Sequence, residues 1–413
     1  MSGPLAERMR HTFRALGHRE YRVYWVGQAV SVTGTWMQTV AQSWLLYRLT
    51  DSPLALGFLA AARFGPSLFL SPVAGVLTDR FRRRTIVLLT QAASLVQASV
   101  LAALTLAGAI EVWHILVLAL GQGIVDTLDM PARQTLQVDL VGVEDLQSAV
   151  SLNSTAFNGA RMVGPAVAGV LVAAYGEGVC FAVNAASYLA VLLALLALRL
   201  PPATTTTGGS IVDELREGLA FAWREPGVRA ALGAVSVTSA LGLSYSTLLP
   251  VLARDVLGGG VQGYGLLLAG AGIGAITGAL ASASRRGTAG TGTVIPLAQG
   301  ALGAALVALG STRSLTVATG VMVLVGLAVA LQLATTNGFL QVIAPPRLRG
   351  RLVSLYIWLF VGMSPLGGLA AGWLAERVGA PRTAWVAGVA CLASAVVTLS
   401  AMAGRRPDSP GPG

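Results

Sequence analysis

The sequence contains twelve apolar stretches, each close to the length of a membrane-spanning helix. A helix needs about 20 mostly apolar residues to cross the hydrocarbon core of a bilayer. Charged residues make up only 11% of the chain, against roughly 25% in soluble domains. The sequence therefore predicts an all-α polytopic membrane protein with twelve transmembrane helices. The predicted spans are 23–49, 54–78, 85–108, 112–138, 148–175, 179–199, 229–257, 261–283, 293–311, 315–343, 351–376 and 382–402.

A long polar interruption divides the spans into two groups of six. It begins with PPATTTTGG, a composition typical of a flexible linker, and from Ser210 on its residues have the spacing of an amphipathic helix. Short matches between the two groups, such as LQV at 136–138 and 340–342, indicate a duplicated unit. We predict two pseudo-symmetric bundles in the following order: cytoplasmic segment 1–22, bundle 23–199, cytoplasmic linker 200–228, bundle 229–402 and cytoplasmic tail 403–413.

The arginines fall mostly on one side of the predicted membrane. Of the 28 basic residues, 21 lie in segments that share a side with both termini, and five lie in the opposite loops. Short cytoplasmic loops accumulate positive charge, so this distribution predicts a cell-membrane protein with both termini in the cytoplasm. It also accounts for the net charge of +10 without a nucleic-acid partner. The other two arginines, Arg63 and Arg161, fall inside spans.

Polar residues recur at helical spacing along spans 1, 4 and 5. Such a row cannot face lipid cheaply, so it faces a bundle interior or a water-filled cavity. The alternative to a cavity is interhelical hydrogen bonding that only holds the bundle together. The candidate residues of a substrate cavity are Gln28, Ser31, Thr35, Gln38 and Gln42 of span 1, Gln122 of span 4, Asn158 of span 5, and Gln332 and Tyr356 of the second half.

Two carboxylates, Asp126 and Asp129, lie near the middle of span 4. An unpaired charge at this depth costs at least about 2.5 kcal/mol. We therefore predict that Arg161 pairs with one of the two aspartates and that Arg63 joins this charge network. If a proton drives transport, its carrier is Asp126 or Asp129; the alternative is a permanently ionised pair that holds spans 4 and 5 together.

Four segments resemble a known superfamily. GVLTDRFRRR at 75–84 resembles the loop between spans 2 and 3 of the major facilitator superfamily, although Arg82 replaces an expected glycine. FNGARMVGPAVAG at 157–169 resembles the Gly-Pro motif on span 5 of its exporters. DMPARQ at 129–134 and GEGVCFAVNAASYLAVL at 176–192 resemble one branch, the enterobactin-exporter-like or transmembrane secretion effector proteins, which include macrolide efflux proteins.

The resemblance implies two six-helix bundles, with spans 1 and 4 lining a central cavity. It also implies a conformational latch in which Asp79 pairs with arginine in one access state, and Arg133 is the arginine best placed for it. The predicted latch residues are Gly75, Asp79, Arg80, Arg83, Arg84 and Arg133.

These observations predict a secondary transporter that exports a small organic solute, such as a siderophore, a drug or another amphiphile, by alternating access with proton antiport. The alternatives are a solute uptake symporter and a non-transporting membrane sensor or scaffold. The chain has no G-x-S-x-G, no Walker motif and no metal-ligand spacing, so we expect neither an enzyme nor a cofactor. The expected partners are the solute, protons and membrane lipid, and the expected state is a monomer.

Overall fold

The structure, a computed structural model, describes residues 13–198, 211–285 and 290–403. Every regular element in these ranges is a helix, which confirms the predicted all-α fold. The helices of the first half are α1 (Arg19–Thr50), α2 (Pro53–Arg80), α3 (Arg83–Leu106), α4 (Val112–Val141), α5 (Leu146–Tyr175) and α6 (Glu177–Ala197). The later helices are α7 (Ile211–Arg224), α8 (Pro226–Val237), α9 (Tyr245–Val251), α10 (Gly260–Ala283), α11 (Thr291–Ser311), α12 (Leu315–Ile343), α13 (Arg349–Val378) and α14 (Ala380–Ala403).

Eleven helices in the described ranges are long and apolar enough to cross a membrane. The first predicted span, α1, is not among them, although its 32 residues are more than sufficient in length. It carries the row of glutamines, serine and threonine described above together with Arg19, Glu20 and Arg22 at its start. Much of the surface of α1 is therefore in contact with other helices, through buried polar side chains, rather than with lipid.

Single glycines connect two pairs of consecutive helices. Gly176 ends α5 and precedes α6 with a φ of 81°, and Gly379 stands between α13 and α14 with a φ of 87°. Residues with a side chain rarely adopt this left-handed backbone, whereas glycine does so at little cost. The two connections are separated by nearly the offset of about 200 residues that the sequence predicts between its two halves.

The helices form two compact units. The first contains Met1–Thr50, Ala62–Gly208 and Tyr264–Ala269, and the second contains Asp51–Ala61, Gly209–Gly263 and Gly270–Gly413. The core of the first unit includes Tyr21, Val87, Leu136, Leu152 and Leu195, contributed by α1, α3, α4, α5 and α6. Burial of these large side chains is the main force that holds the five helices together.

The core of the second unit is built by α8, α11, α12 and α13. Val228, Ile295, Leu340 and Leu352 are buried there, and Ala222 of α7 joins them. The amphipathic helix α7 is also held to α13 by an ion pair between Glu217 and Arg351.

Candidate functional site

Asp126 and Arg63 form an ion pair within the first unit. Arg63 Nη2 lies 2.8 Å from Asp126 Oδ2, and Gln122 Nε2 donates a hydrogen bond to Asp126 Oδ1 at 2.9 Å. Gly123 brings the two helices together, because a Cβ on this residue would lie 2.3 Å from the carbonyl oxygen of Arg63. The Asp126 side chain is 46% exposed, so other protein atoms leave almost half of its surface uncovered at the middle of an apolar helix.

Asp129 lies one turn further along α4 and has very different surroundings. It forms an ion pair with Arg133, four residues on along the same helix. Thr90 Oγ1 and Gln91 Nε2 of α3 donate hydrogen bonds to Asp129 Oδ1 at 2.5 and 3.2 Å. Asp129 is only 8% exposed. Its carboxylate is thus enclosed by three side-chain partners, which compensate for the burial of a polar group.

The predicted pairing of Arg161 with one of these aspartates is wrong, because both carboxylates have other arginine partners. Helical spacing places Arg133 next to Asp129, and the close approach at Gly123 places Arg63 next to Asp126. Arg133, which the sequence assigned to Asp79, is therefore engaged with Asp129, and the side chain of Asp79 lies outside the described residues.

Arg161 instead lies against an aromatic pair in the first unit. Its guanidinium carbon is 5.8 Å from the centroid of the Trp36 ring, which meets Phe157 edge to face at 5.9 Å. Gly164 permits this arrangement, because a Cβ there would lie 2.7 Å from Trp36 Cβ. The Gly-Pro motif of span 5 thus has a local packing role, which holds α5 close to α1 at the level of Trp36. Asn158, on the same helix, donates its amide to the Ser154 carbonyl at 2.8 Å.

The polar row of α1 is largely buried between helices. Gln38 accepts a hydrogen bond from Asn184 at 2.7 Å and donates one to Gln97 at 2.9 Å. Gln42 donates to the carbonyl of Ile115 at 3.2 Å. Thr35 and Tyr188 share a hydrogen bond between their hydroxyl groups at 3.2 Å. For these α1 side chains, the geometry fits the alternative interpretation, interhelical hydrogen bonding. The most buried members of the row are Gln28, Ser31, Gln38 and Gln42.

Polar residues of α3, which are not among the predicted site residues, complete these hydrogen-bond networks. Thr90, Ser94 and Gln97 lie at steps of four and three along one face of that helix. Ser94 accepts a hydrogen bond from Gln122 at 2.9 Å, and Thr90 donates to Asp129. The polar residues of α3 thus recur with the same helical periodicity as those of spans 1, 4 and 5, and this periodicity could have identified them from the sequence.

Both candidates of the second unit are engaged with protein groups. Gln332 is fully buried and accepts a hydrogen bond from Thr238 at 2.9 Å. Thr238 begins a π-helical turn, Thr238–Gly242, that interrupts the span after α8. Such π-helical turns are frequent at functional sites. The Tyr356 hydroxyl donates a hydrogen bond to the carbonyl of Leu333 at 3.2 Å.

Besides Arg133, two of the predicted latch arginines make contacts inside the first unit. Arg83 Nη1 lies 2.7 Å from Asp139 Oδ1, and Arg84 donates to the carbonyls of Leu195 and Leu196 at 3.0 and 3.1 Å. These contacts tie the first turn of α3 to the ends of α4 and α6. The side chains of Asp79 and Arg80 and the surroundings of Gly75 lie outside the described residues.

Solved transporter structures share the fold. A bacterial homologue of the human lysosomal transporter Spinster superimposes with a TM-score of 0.71 at 17% identity, over 93% of this chain and 96% of that one. A point mutant of the nucleoside transporter NupG gives 0.73 at 15% identity, over 93% and 99%. The chain therefore has the same fold as these solved structures.

Sequence comparison assigns the family. Residues 10–406 match the family described as transmembrane secretion effector, and the chain belongs to that family of transporters. The staphyloferrin A transporter of Staphylococcus aureus (strain NCTC 8325 / PS 47) is 26% identical, over 88% of this chain and 91% of that protein. The multidrug efflux pump Tap of Mycolicibacterium fortuitum is 27% identical, over 84% and 87%.

Proposed function

We propose that the chain exports a small organic solute from the cytoplasm by alternating access, in exchange for protons, and that Asp126 is the proton carrier. Export is supported by the efflux function in the names of Tap and of macrolide efflux protein A, similar proteins from Mycolicibacterium fortuitum and Streptococcus pyogenes. The chain acts as a monomer in the cell membrane with both termini in the cytoplasm, and Asp79 with its neighbouring arginines acts as a latch.

The difference between the two aspartates of α4 carries this proposal. A proton carrier must meet water and must exist in both protonation states. Asp126 is half exposed and has one arginine partner, whereas Asp129 is buried with Arg133, Thr90 and Gln91. Protonation of Asp126 would release Arg63 and so change the contact between α4 and α2, whereas protonation of Asp129 would break an ion pair that lies within α4 alone.

Export by reconstituted protein tests the carrier role. The protein is inserted into liposomes, and movement of a macrolide or of staphyloferrin A is followed with and without a pH gradient. We expect the Asp126→Asn variant to bind solute but to lose acceleration by the gradient, because asparagine cannot exchange a proton. Glu144→Gln, in the exposed loop after α4, is the matched control and should transport like the natural protein.

Three results would contradict the proposal. Gradient-driven export that persists in Asp126→Asn would exclude this residue as the carrier. Solute accumulation together with protons, in the direction opposite to export, would identify an uptake symporter. Absence of any flux of the tested solutes in the natural protein, with solute binding retained, would favour a sensor or scaffold.

A further inference from the structure

The charges at the middle of the first unit do not balance. Among the described residues, two aspartates and three arginines lie well inside its apolar helices: Asp126, Asp129, Arg63, Arg133 and Arg161. Two of the arginines pair with the two aspartates. Arg161 lies near the midpoint of α5 and has no carboxylate partner among the described side chains. A charged side chain at this depth is costly and indicates a functional partner.

The immediate surroundings of Arg161 supply apolar contact but no negative charge. The Trp36 ring faces the guanidinium and attracts it through its π electrons, an interaction that leaves the five N–H donors of arginine available. Phe157, one turn before Arg161, is 48% exposed, so part of its ring is open to another molecule. Arg161 itself is partly exposed.

The packing holds this cluster in place. The edge-to-face contact between Trp36 and Phe157 limits rotation of both rings, and the close approach at Gly164 fixes α5 against α1 beside them. A pre-positioned guanidinium loses less conformational freedom when it binds an anion than a free side chain does. An aromatic surface beside a fixed cation suits a molecule with a carboxylate and an adjoining apolar part.

We propose that Arg161, Trp36 and Phe157 form a subsite for the carboxylate of an organic anion, so that the exported solute is an anionic amphiphile. The proposal rests on the proposed transport function and specifies the chemistry of its solute. The guanidinium binds the two carboxylate oxygens through paired N–H donors, Trp36 supports the guanidinium from behind, and the open part of the Phe157 ring contacts the apolar portion. Bound anion neutralises the unmatched charge.

Matched carboxylate and amide pairs test the subsite directly. The probes are octanoate with octanamide, 2-naphthoate with 2-naphthamide, and tricarballylate with its triamide. Binding to the purified protein is measured by titration calorimetry. We expect at least one carboxylate to bind more tightly than its amide, and Arg161→Gln to weaken that carboxylate about tenfold or more, the worth of one charge-assisted contact. Binding of the amide should stay unchanged.

Two further variants separate recognition from folding. Arg161→Lys keeps the charge and loses the paired donors, so we expect intermediate carboxylate affinity. Arg313→Gln removes an exposed loop arginine between α11 and α12 and should bind like the natural protein. If Arg161→Gln fails to fold, Arg161→Lys still provides the comparison between carboxylate and amide.

Other outcomes would overturn the subsite. One is equal carboxylate affinity in the natural protein and in both Arg161 variants, and another is absence of carboxylate binding. A third is stabilisation by phosphatidylglycerol vesicles that depends on Arg161 and is not displaced by carboxylates, which would assign the cation to a lipid phosphate. Gradient-driven export of neutral or cationic solutes without dependence on Arg161 would reject the subsite alone. Arg161-dependent carboxylate binding without any flux would reject the transport function alone.

Discussion

Asp126 and Asp129 are neighbours on one helix, yet the structure gives them opposite properties. Asp129 has donors from α3 and an arginine from its own helix, whereas Asp126 meets Arg63 at a half-exposed position. Both are aspartates on the same apolar helix, one turn apart, so their different burial and partners distinguish them. The proposed roles follow from this difference: a structural role for Asp129 and an exchangeable proton for Asp126.

The Asp129–Arg133 pair should behave as a buried ion pair in stability measurements. Asp129→Asn or Arg133→Gln alone leaves one buried charge without its partner and should lower the free energy of unfolding by about 3–5 kcal/mol. The double variant removes both charges and should recover much of this loss. Denaturant unfolding in detergent measures the four proteins of the cycle, and a double variant whose loss equals the sum of the two single losses would contradict the assignment.

The sequence alone identifies these charged residues but not their partners. Depth along a helix can be counted, which is why Asp126 and Asp129 stand out as carboxylates inside a span. The choice among Arg63, Arg133 and Arg161 depends on how α2 and α5 are rotated and how closely they approach α4, which no spacing within one helix specifies. The Arg133 pairing is the exception, because four-residue spacing on α4 already brings it beside Asp129.

At the scale of helices, the Arg63–Asp126 contact depends on the distance between α2 and α4. They approach closely at Gly123, one turn before Asp126, where the backbone of Arg63 occupies the space that a side chain would need. This glycine cannot be distinguished by sequence among the 50 in the chain. The extents of the helices, in contrast, follow from apolar runs and agree with the structure to within a few residues for most spans.

Replacement of Gly123 should therefore disturb the proton site without changing any charge. Gly123→Ala places a methyl group against the Arg63 carbonyl, so the helices must separate, at an overpacking cost of about 1–3 kcal/mol. We expect gradient-driven export to decline as in Asp126→Asn, and detergent unfolding to report the lost stability. Gly121→Ala is the matched control, because a Cβ at Gly121 meets nothing within 4 Å. Equal behaviour of the two variants would argue against the role of this contact.

At the scale of the whole molecule, the arrangement of spans is the feature that sequence specifies best. Runs of apolar residues and the offset of about 200 residues between the two halves require only local composition and periodicity. The π-helical turns Thr238–Gly242 and Leu252–Val256 carry no such signal in the sequence. The side-chain networks depend on which helix faces meet.

Cysteine labelling tests the predicted orientation. The two native cysteines, Cys180 and Cys391, are fully buried and should not react. The distribution of arginine predicts that Val143, in the loop after α4, is cytoplasmic and that Arg313 is outside. A membrane-impermeant maleimide should therefore label Arg313→Cys on intact cells, and Val143→Cys only after lysis. The reverse pattern would mean that both termini lie outside.

The single-glycine connections at Gly176 and Gly379 have a mechanical consequence. One residue provides no slack, so a tilt at the end of α5 is passed directly to the start of α6, and α13 acts on α14 in the same way. The two helices of each pair are therefore expected to move together. Insertion of a few flexible residues at Gly176 or Gly379 would uncouple the two helices while leaving every charged group in place.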